Sequence, residues 1–163
     1  MDIRNSTFED LQRIVEIYAG AKKYMAEIGN PRQWIDGYPS RELIKDDIAK
    51  KSGYVCLDEG KIVAVFYFRI ENEPTYARLD RGRWLNDEPY GVIHRIAVDS
   101  RRNGIATFCL EWCFAQIGNI RIDTHKDNSA MRKVLLKNNY TYCGIVYMDD
   151  GTERLAFQKC SRA

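Results

Sequence analysis

Apolar and polar positions along this chain follow two rhythms, and the change from one to the other divides it. In the N-terminal third, Leu11, Ile14, Val15, Tyr18 and Met25 recur at helical spacing, and Leu43, Ile44 and Ile48 do so again. Asp2 to Arg4 makes a short strand before them, and Ser6-Thr7-Phe8-Glu9 has the Ser-x-x-Glu spacing of a capping box. The first helix is expected to break near Gly20 and to end at Gly29-Asn30-Pro31, with Arg32 to Pro39 as a loop. Ser40 offers an N-cap to the second, which closes at Lys51-Ser52-Gly53.

Beyond Gly53 the period shortens. Tyr54 to Leu57 and Ile62 to Ile70 flank Asp58-Glu59-Gly60-Lys61 as a β-hairpin, and Val92 to Val98 is a β-branched strand bounded by Gly91 and Asp99-Ser100. Between them Glu71 to Pro89 is a long loop, of the kind that is usually functional or mobile. Ile105 to Ile117 is too long and too apolar for a strand and reads as a helix buried on a sheet. Asn119 to Thr124 is a short strand. Asp127-Asn128-Ser129 caps a helix with Met131, Val134 and Leu135 inward, and Thr141 to Met148 with Glu153 to Lys159 form a closing hairpin. The order is strand, two helices, hairpin, strand, helix, strand, helix, hairpin. That is an α+β, or mixed α/β, pattern.

Composition narrows the class. The 163 residues suit one domain spanning 1–163, and 45% hydrophobic against 29% charged residues, with no apolar run of spanning length, exclude a membrane protein. A formal charge of +2 gives no general attraction for nucleic acid, and Arg78, Arg81 and Arg83 read as a solvated basic loop. The N-terminus lacks a signal-peptide core, which points to the cytoplasm. Five cysteines without a Cys-x-x-Cys pair fit reduced thiols there; Cys109 and Cys113, one helical turn apart, read as small buried hydrophobes, and no metal site is expected.

The candidate chemistry lies where strand Val92–Val98 passes through a polar loop into the helix that begins after Gly104. Free N–H groups and the positive end of a helix dipole meet there beside Arg101 and Arg102, which makes a receptor for phosphate. Neither the three-glycine dinucleotide fingerprint nor a Gly-Lys-Ser/Thr ending is present. What stands there is Arg101-Arg102-Asn103-Gly104-Ile105-Ala106, R-x-x-G-x-A, after His94-Arg95-Ile96-Ala97-Val98. This resembles the coenzyme A-binding segment of the GNAT superfamily of N-acetyltransferases, and the element order along the whole chain is similar too.

The resemblance implies a mixed, mostly antiparallel seven-stranded sheet flanked by about four helices and splayed between its fourth and fifth strands, with acetyl-CoA in the splay. It implies transfer of the acetyl group, by direct attack, to a primary amine of a small molecule or peptide. Ile96, Ala97 and Val98 would bond the pantetheine arm; Arg101, Arg102, Asn103, Gly104, Ile105 and Ala106 would wrap the pyrophosphate, with Thr107 adding a hydroxyl. The loop before Gly104 is a residue or two shorter than is common in the superfamily. Asn128 matches a pantetheine contact, and it is equally a plain helix cap.

The family's usual acid, a tyrosine, falls at Leu135, and Tyr140 and Tyr142 lie where other features of the pattern belong. His94 matches a position where some members, including the arylalkylamine acetyltransferases, carry a proton acceptor; without that match it would read as a core histidine. Arg95, next to it, should point to the other sheet face by alternation. Trp34, Tyr38, Tyr76 and Trp84, on the two irregular segments, are either walls for an organic amine or cover for the core. Loss of the tyrosine keeps a second reading open, a non-catalytic coenzyme A-binding sensor or interaction module. The acceptor stays unidentified, and so does the oligomeric state, a homodimer included.

Overall fold

The computed structural model describes residues 1–99 and 102–161. Its strands are β1 (Asp2–Asn5), β2 (Gly53–Asp58), β3 (Lys61–Ile70), β4 (Gly91–Val98), β5 (Asn119–Thr124), β6 (Thr141–Tyr147) and β7 (Glu153–Cys160). Its helices are α1 (Leu11–Glu27), α2 (Arg41–Ala49), α3 (Ile105–Ile117) and α4 (Ser129–Lys137). The strands form one sheet in the order β1-β2-β3-β4-β5-β7-β6, and every neighbouring pair is antiparallel except β4 and β5. The expected sheet and helix complement are therefore present. Among the described residues no helix is long and apolar enough to cross a membrane.

Two local expectations shift. The capping box falls one residue later, with Thr7 as the N-cap and Asp10 in place of Glu9: the Asp10 carboxylate accepts the Thr7 N–H at 2.8 Å and the Arg4 guanidinium at 2.7 and 3.1 Å. Ser6 belongs instead to the strand side, its N–H bonded to the Gly53 carbonyl at 3.0 Å and prolonging the β1–β2 pairing. The second shift is that α1 runs unbroken through Gly20. That glycine is exposed, and the apolar face from Leu11 to Met25 packs on both sides of it, so tertiary burial outweighs the low helix propensity of one residue.

Strand alternation sends side chains to both faces of the sheet, and each face has its own cover. One face takes α3 and α4: Ile105, Cys109, Leu110, Cys113 and Leu135 pack with Phe66, Phe68, Ile93, Ile120, Ile122 and Phe157. The cysteines in this core are free thiols. On the other face α1 and α2 cover Val55, Val65 and Ala97, joined by Trp34. The helices stop short of β7 and β6, and the segment from Glu71 to Tyr90 covers that remainder: Tyr76 and Tyr90 pack on Val92, Val146 and Ala156. Polar ties hold it down. Gln158, fully buried, accepts the Leu85 N–H at 2.7 Å and donates to Asn86 and Asn119 at 3.1 and 2.8 Å. The long loop thus serves as a packing layer, which explains its length better than mobility does.

β4 and β5 pair only at Gly91↔Ile120 and Val92↔Arg121 before they part. A Cβ on Gly91 would lie 2.6 Å from the Phe68 ring and 2.9 Å from Ile120, so a glycine suits the close approach with which the short pairing begins. Farther along β4, Arg95 and Ile96 together oppose Phe66, between the pairs Tyr67↔His94 and Val65↔Ala97. Arg95 sits at φ 52°, in the left-handed region, as the extra residue of a β-bulge. The bulge restarts the alternation: Ile93 and Ile96 both belong to the α3 side, while Ala97 faces α1.

Candidate active site

Where β4 and β5 part, a cleft of about 490 Å³ opens, lined on one wall by Ile93 to Ile96 of β4 and on the other by Ile122 to Thr124 of β5. That size suits the arm of a cofactor or a small acceptor. β5 is fully paired with β7 on its far side, so beyond Val92 the facing edge of β4 has no β5 ladder to satisfy it. An extended polar arm could bond there as another strand would.

Beyond β4 in the chain, Gly104 stands at the start of α3, whose residues do not line this cleft. Gly104 adopts φ 85°, and among the described residues no atom beyond its chain neighbours lies within 4 Å of where its Cβ would be. The carbonyl of Gly104 accepts the Phe108 N–H, while the first-turn N–H groups of Ile105, Ala106 and Thr107 lie in the part of a helix that has no internal acceptors. A bare glycine under a helix N-terminus is a fitting cradle for a diphosphate. The Ile105 side chain is buried in the core, so it can offer only its backbone, and the Thr107 hydroxyl accepts from Asn138 at 3.0 Å. Asn103 is exposed in the turn before Gly104. Arg102 is paired with Asp58 of the β2–β3 turn, and Arg101 lies outside the described residues.

Ile96 lines the cleft, whereas Ala97 and Val98 stay in the β3 ladder with their side chains in the two cores. Asn128 lines it too and caps α4, accepting the Met131 N–H at 3.0 Å. Its amide donates to Gln33 at 2.9 Å, and this ties the loop after α1 across the mouth of the cleft.

His94 faces the cleft from β4, with Nε2 3.3 Å from Glu73 Oε1. Glu73 is itself held in place: Thr75 donates to the same oxygen at 3.3 Å, and the Glu73 N–H donates to Tyr90 Oη at 2.9 Å. The His94 contact is the main reason the Glu73 carboxyl titrates below its ordinary value. Arg95 does not point away as alternation implied. The bulge turns it beside His94 into the same cleft, where it forks onto Asp47 at 2.8 and 2.9 Å and donates to Tyr38 Oη at 3.1 Å. Burial pushes the Asp47 carboxyl up and the guanidinium opposes it. Tyr18 donates to the Arg95 carbonyl at 2.9 Å, which helps to hold the left-handed conformation.

The four aromatic candidates divide. Tyr38 lines the cleft and is part exposed; Trp34 lines it while packing edge-on against Tyr18, so it serves both wall and core. Tyr76 and Trp84 do not reach the cleft: both lie in the core beneath the long loop, with the Trp84 indole donating to the Tyr76 carbonyl at 3.0 Å. Tyr76 acts on the cleft at one remove, since its hydroxyl donates to Asp123 at 2.7 Å and burial keeps that hydroxyl protonated. Leu135 is fully buried in the α3-side core, and Tyr140, whose hydroxyl is buried without a hydrogen-bond partner among the described residues, belongs to the same core. Gln33, Glu73, Asp123 and Arg154 were missed by the sequence reading. No local pattern marks any of them, because each reaches the cleft through a different element.

A family model described as Acetyltransferase (GNAT) family matches residues 11–140. The chain belongs to the GNAT family of acetyltransferases. A GNAT-family acetyltransferase from Streptococcus agalactiae is 32% identical over 99% of this chain and 96% of its own, with a TM-score of 0.91. The ribosomal-protein-alanine N-acetyltransferase of Brucella melitensis is 17% identical, covering 98% of this chain and 99% of its own at a TM-score of 0.61, and shares the fold. So does GphF, a GNAT-like decarboxylase solved with isobutyryl-CoA, at 15% identity, 99% and 100% coverage and a TM-score of 0.68. None of the curated protein sequences matches the chain. The cleft between β4 and β5 is therefore the cleft of a GNAT fold.

Proposed function

We propose that this GNAT chain transfers an acetyl group from acetyl-CoA to a primary amine of a small molecule or peptide, with His94 as proton acceptor and Glu73 holding it. The observation that carries the reading is the placement of His94 on the parted edge of β4, in one cleft with the aromatic wall of Trp34 and Tyr38. Acetyl-CoA would supply a thioester carbonyl that a neutral amine can attack. Gly104 and the first turn of α3 would hold its pyrophosphate, Ile96 and the open β4 edge its arm, and Asn128 would add an amide.

With Nε2 engaged by Glu73, Nδ1 is the atom left to take a proton from the acceptor ammonium, directly or through one water. As the amine nitrogen bonds to the thioester carbonyl carbon and the C–S bond breaks, the nitrogen gives up its second proton to water and His94 can return the first to the departing sulfur. One proton thus ends on the thiol and one in solvent, without the tyrosine that Leu135 replaces. Asp47 keeps Arg95 fixed, so the backbone of the bulge stays where it can support the carbonyl.

The same Leu135 favours a second reading, a coenzyme A-binding module without catalysis. Thermal unfolding with coenzyme A, together with thiol release from acetyl-CoA over a panel of amines, separates the two. Stabilisation plus thiol release with at least one amine supports the enzyme. Stabilisation without turnover on any amine assigns the module.

A further inference from the structure

The β5–β7 wall of the cleft carries a buried guanidinium, and its partners set it apart from the others there. Arg154 is 8% exposed and lines the cleft near the tip of the β6–β7 hairpin, one residue beyond the Thr124↔Leu155 pair that ends β5. Its hydrogen bonds run to the Glu153 carbonyl at 3.0 Å, the Gln33 carbonyl at 3.2 Å and the Thr152 hydroxyl at 3.4 Å. All three are neutral oxygens, and among the described residues no carboxylate forms an ion pair with it. Arg95, on the facing wall, is by contrast fully matched by Asp47.

A cation taken out of water without a counter-charge is costly, so a fold that keeps one at the wall of a cleft is suited to receive an anion there. The nearby acids do not fill that role. Asp150 turns its Oδ1 to the Thr152 N–H and hydroxyl at 3.0 and 2.6 Å, and Asp149 is exposed at the hairpin tip. Arg32, also on the cleft, adds to the positive field. His125 senses it: burial first, then the charges of Arg154, Lys126 and Arg32, hold its imidazole below the ordinary value, with Asp127 opposing. The other acids on the cleft have partners of their own: Glu73 meets His94, and Asp123, on the β5 wall itself, accepts from Tyr76. The carboxylate held at His94 and the guanidinium of Arg154 thus stand as separate charges in one cleft.

We propose that Arg154 receives a carboxylate, and that the acceptor is an amine that also carries one, an amino-acid-like compound rather than a polyamine. This rests on the acetyltransferase reading above. A fork-shaped guanidinium pairs with a planar carboxylate through two bonds, which orients as well as attracts it. A polyamine would place a second cation against Arg154 and Arg32, where like charges repel.

The test compares acids with matching amides. Acetyl transfer is measured for amino acids and their carboxamides, and coenzyme A-loaded protein is titrated with the N-acetyl amino acids and N-acetyl amino-acid amides. In the wild type at least one acid should exceed its amide by roughly ten- to a hundred-fold in kcat/KM and in product affinity, the range for a hydrogen bond to a charged group. Arg154→Gln should bring the ratio near one, and Arg154→Lys should retain part of it. Amides transferred as well as acids throughout would overturn the carboxylate assignment while leaving the acetyltransferase reading intact. An acid preference that survives in Arg154→Gln would equally remove Arg154 from the role. The product titration needs no turnover, so it decides the anion site even if His94 is not the base.

Discussion

The region proposed for the cofactor is made of backbone: Gly104, the first-turn N–H groups of α3 and the edge of β4 that β5 leaves unpaired. The cleft is made of side chains, and they come from far apart. Trp34 and Tyr38 belong to the loop after α1, Glu73 to the long loop, His94 and Arg95 to β4, Asp123 to β5 and Arg154 to β7. The backbone region is open over Gly104 among the described residues. The cleft is crowded, and most of its members also hold the fold: Trp34 packs on Tyr18, Arg95 on Asp47, and Asp123 on Tyr76. A generic ligand group such as a diphosphate can be held by main chain alone, whereas selecting one amine requires shaped and charged side chains.

Trp34→Ala should have the largest effect, because it strikes both functions of the crowded cleft. Removing a buried indole should cost roughly 3–5 kcal/mol of stability, read by denaturant unfolding. The surviving folded protein should show a raised KM for amine with that for acetyl-CoA little changed. A stability loss with both KM values unchanged would leave Trp34 in the core alone, and the aromatic wall would reduce to Tyr38.

His94→Gln should come next, lowering turnover by roughly ten- to a thousand-fold, since water can replace part of a general base. Coenzyme A affinity, measured by titration calorimetry, should stay within about two-fold, because the cradle belongs to the backbone region. Equal losses in turnover and coenzyme A affinity would show that the two regions are not separable.

Gly104→Asp probes the backbone region. A carboxylate in the open space over Gly104 should weaken coenzyme A binding by roughly ten- to a hundred-fold. Gly104→Ala is the control: both variants carry the left-handed strain of roughly 1–3 kcal/mol, and only one carries the charge. Equal coenzyme A affinities for the two would place the phosphates elsewhere.

The smallest effect concerns pH. Glu73 titrates below its ordinary value of 4.5, with His94 the main cause and burial opposing it. A carboxyl whose value is depressed on folding contributes stability above the unfolded value, and that contribution is lost as pH falls through the folded value. Wild type should therefore exceed Glu73→Gln by at most about 1 kcal/mol, constant above about pH 5 and vanishing in more acid solution. A difference that grows as pH falls would mean that Glu73 is not paired in this way.

Which of these parts could be read from the chain follows the same division. Gly104, the apolar run Ile105–Ile117 and the β-branched Val92–Val98 announce strand, turn and helix through local chemistry, and the phosphate receptor proposed there needs no distant contact. Asn128 was legible as a cap for the same reason. The element order was enough for the sheet and its four helices, since each element's period reports which faces it must bury.

What only the tertiary structure decided has in common that neighbours in space override neighbours in sequence. Ser6 was spent on the β1–β2 pairing, so the capping box moved one residue on, to Thr7 and Asp10. One extra residue opposite Phe66 reversed the direction of Arg95 and brought it beside His94, a change that a strict two-residue period cannot foresee. The loop Glu71–Pro89 became a packing layer because β7 and β6 had no helix over them; this buried Tyr76 and Trp84 and delivered Glu73 to His94. Arg154 is an ordinary basic residue in a hairpin strand until β5 ends beside it and the Gln33 loop closes over it. The backbone region is written locally because hydrogen-bond donors at a helix start need only a helix. The cleft is assembled across well over a hundred residues of chain, and its charges acquire meaning only when the fold sets which of them are paired.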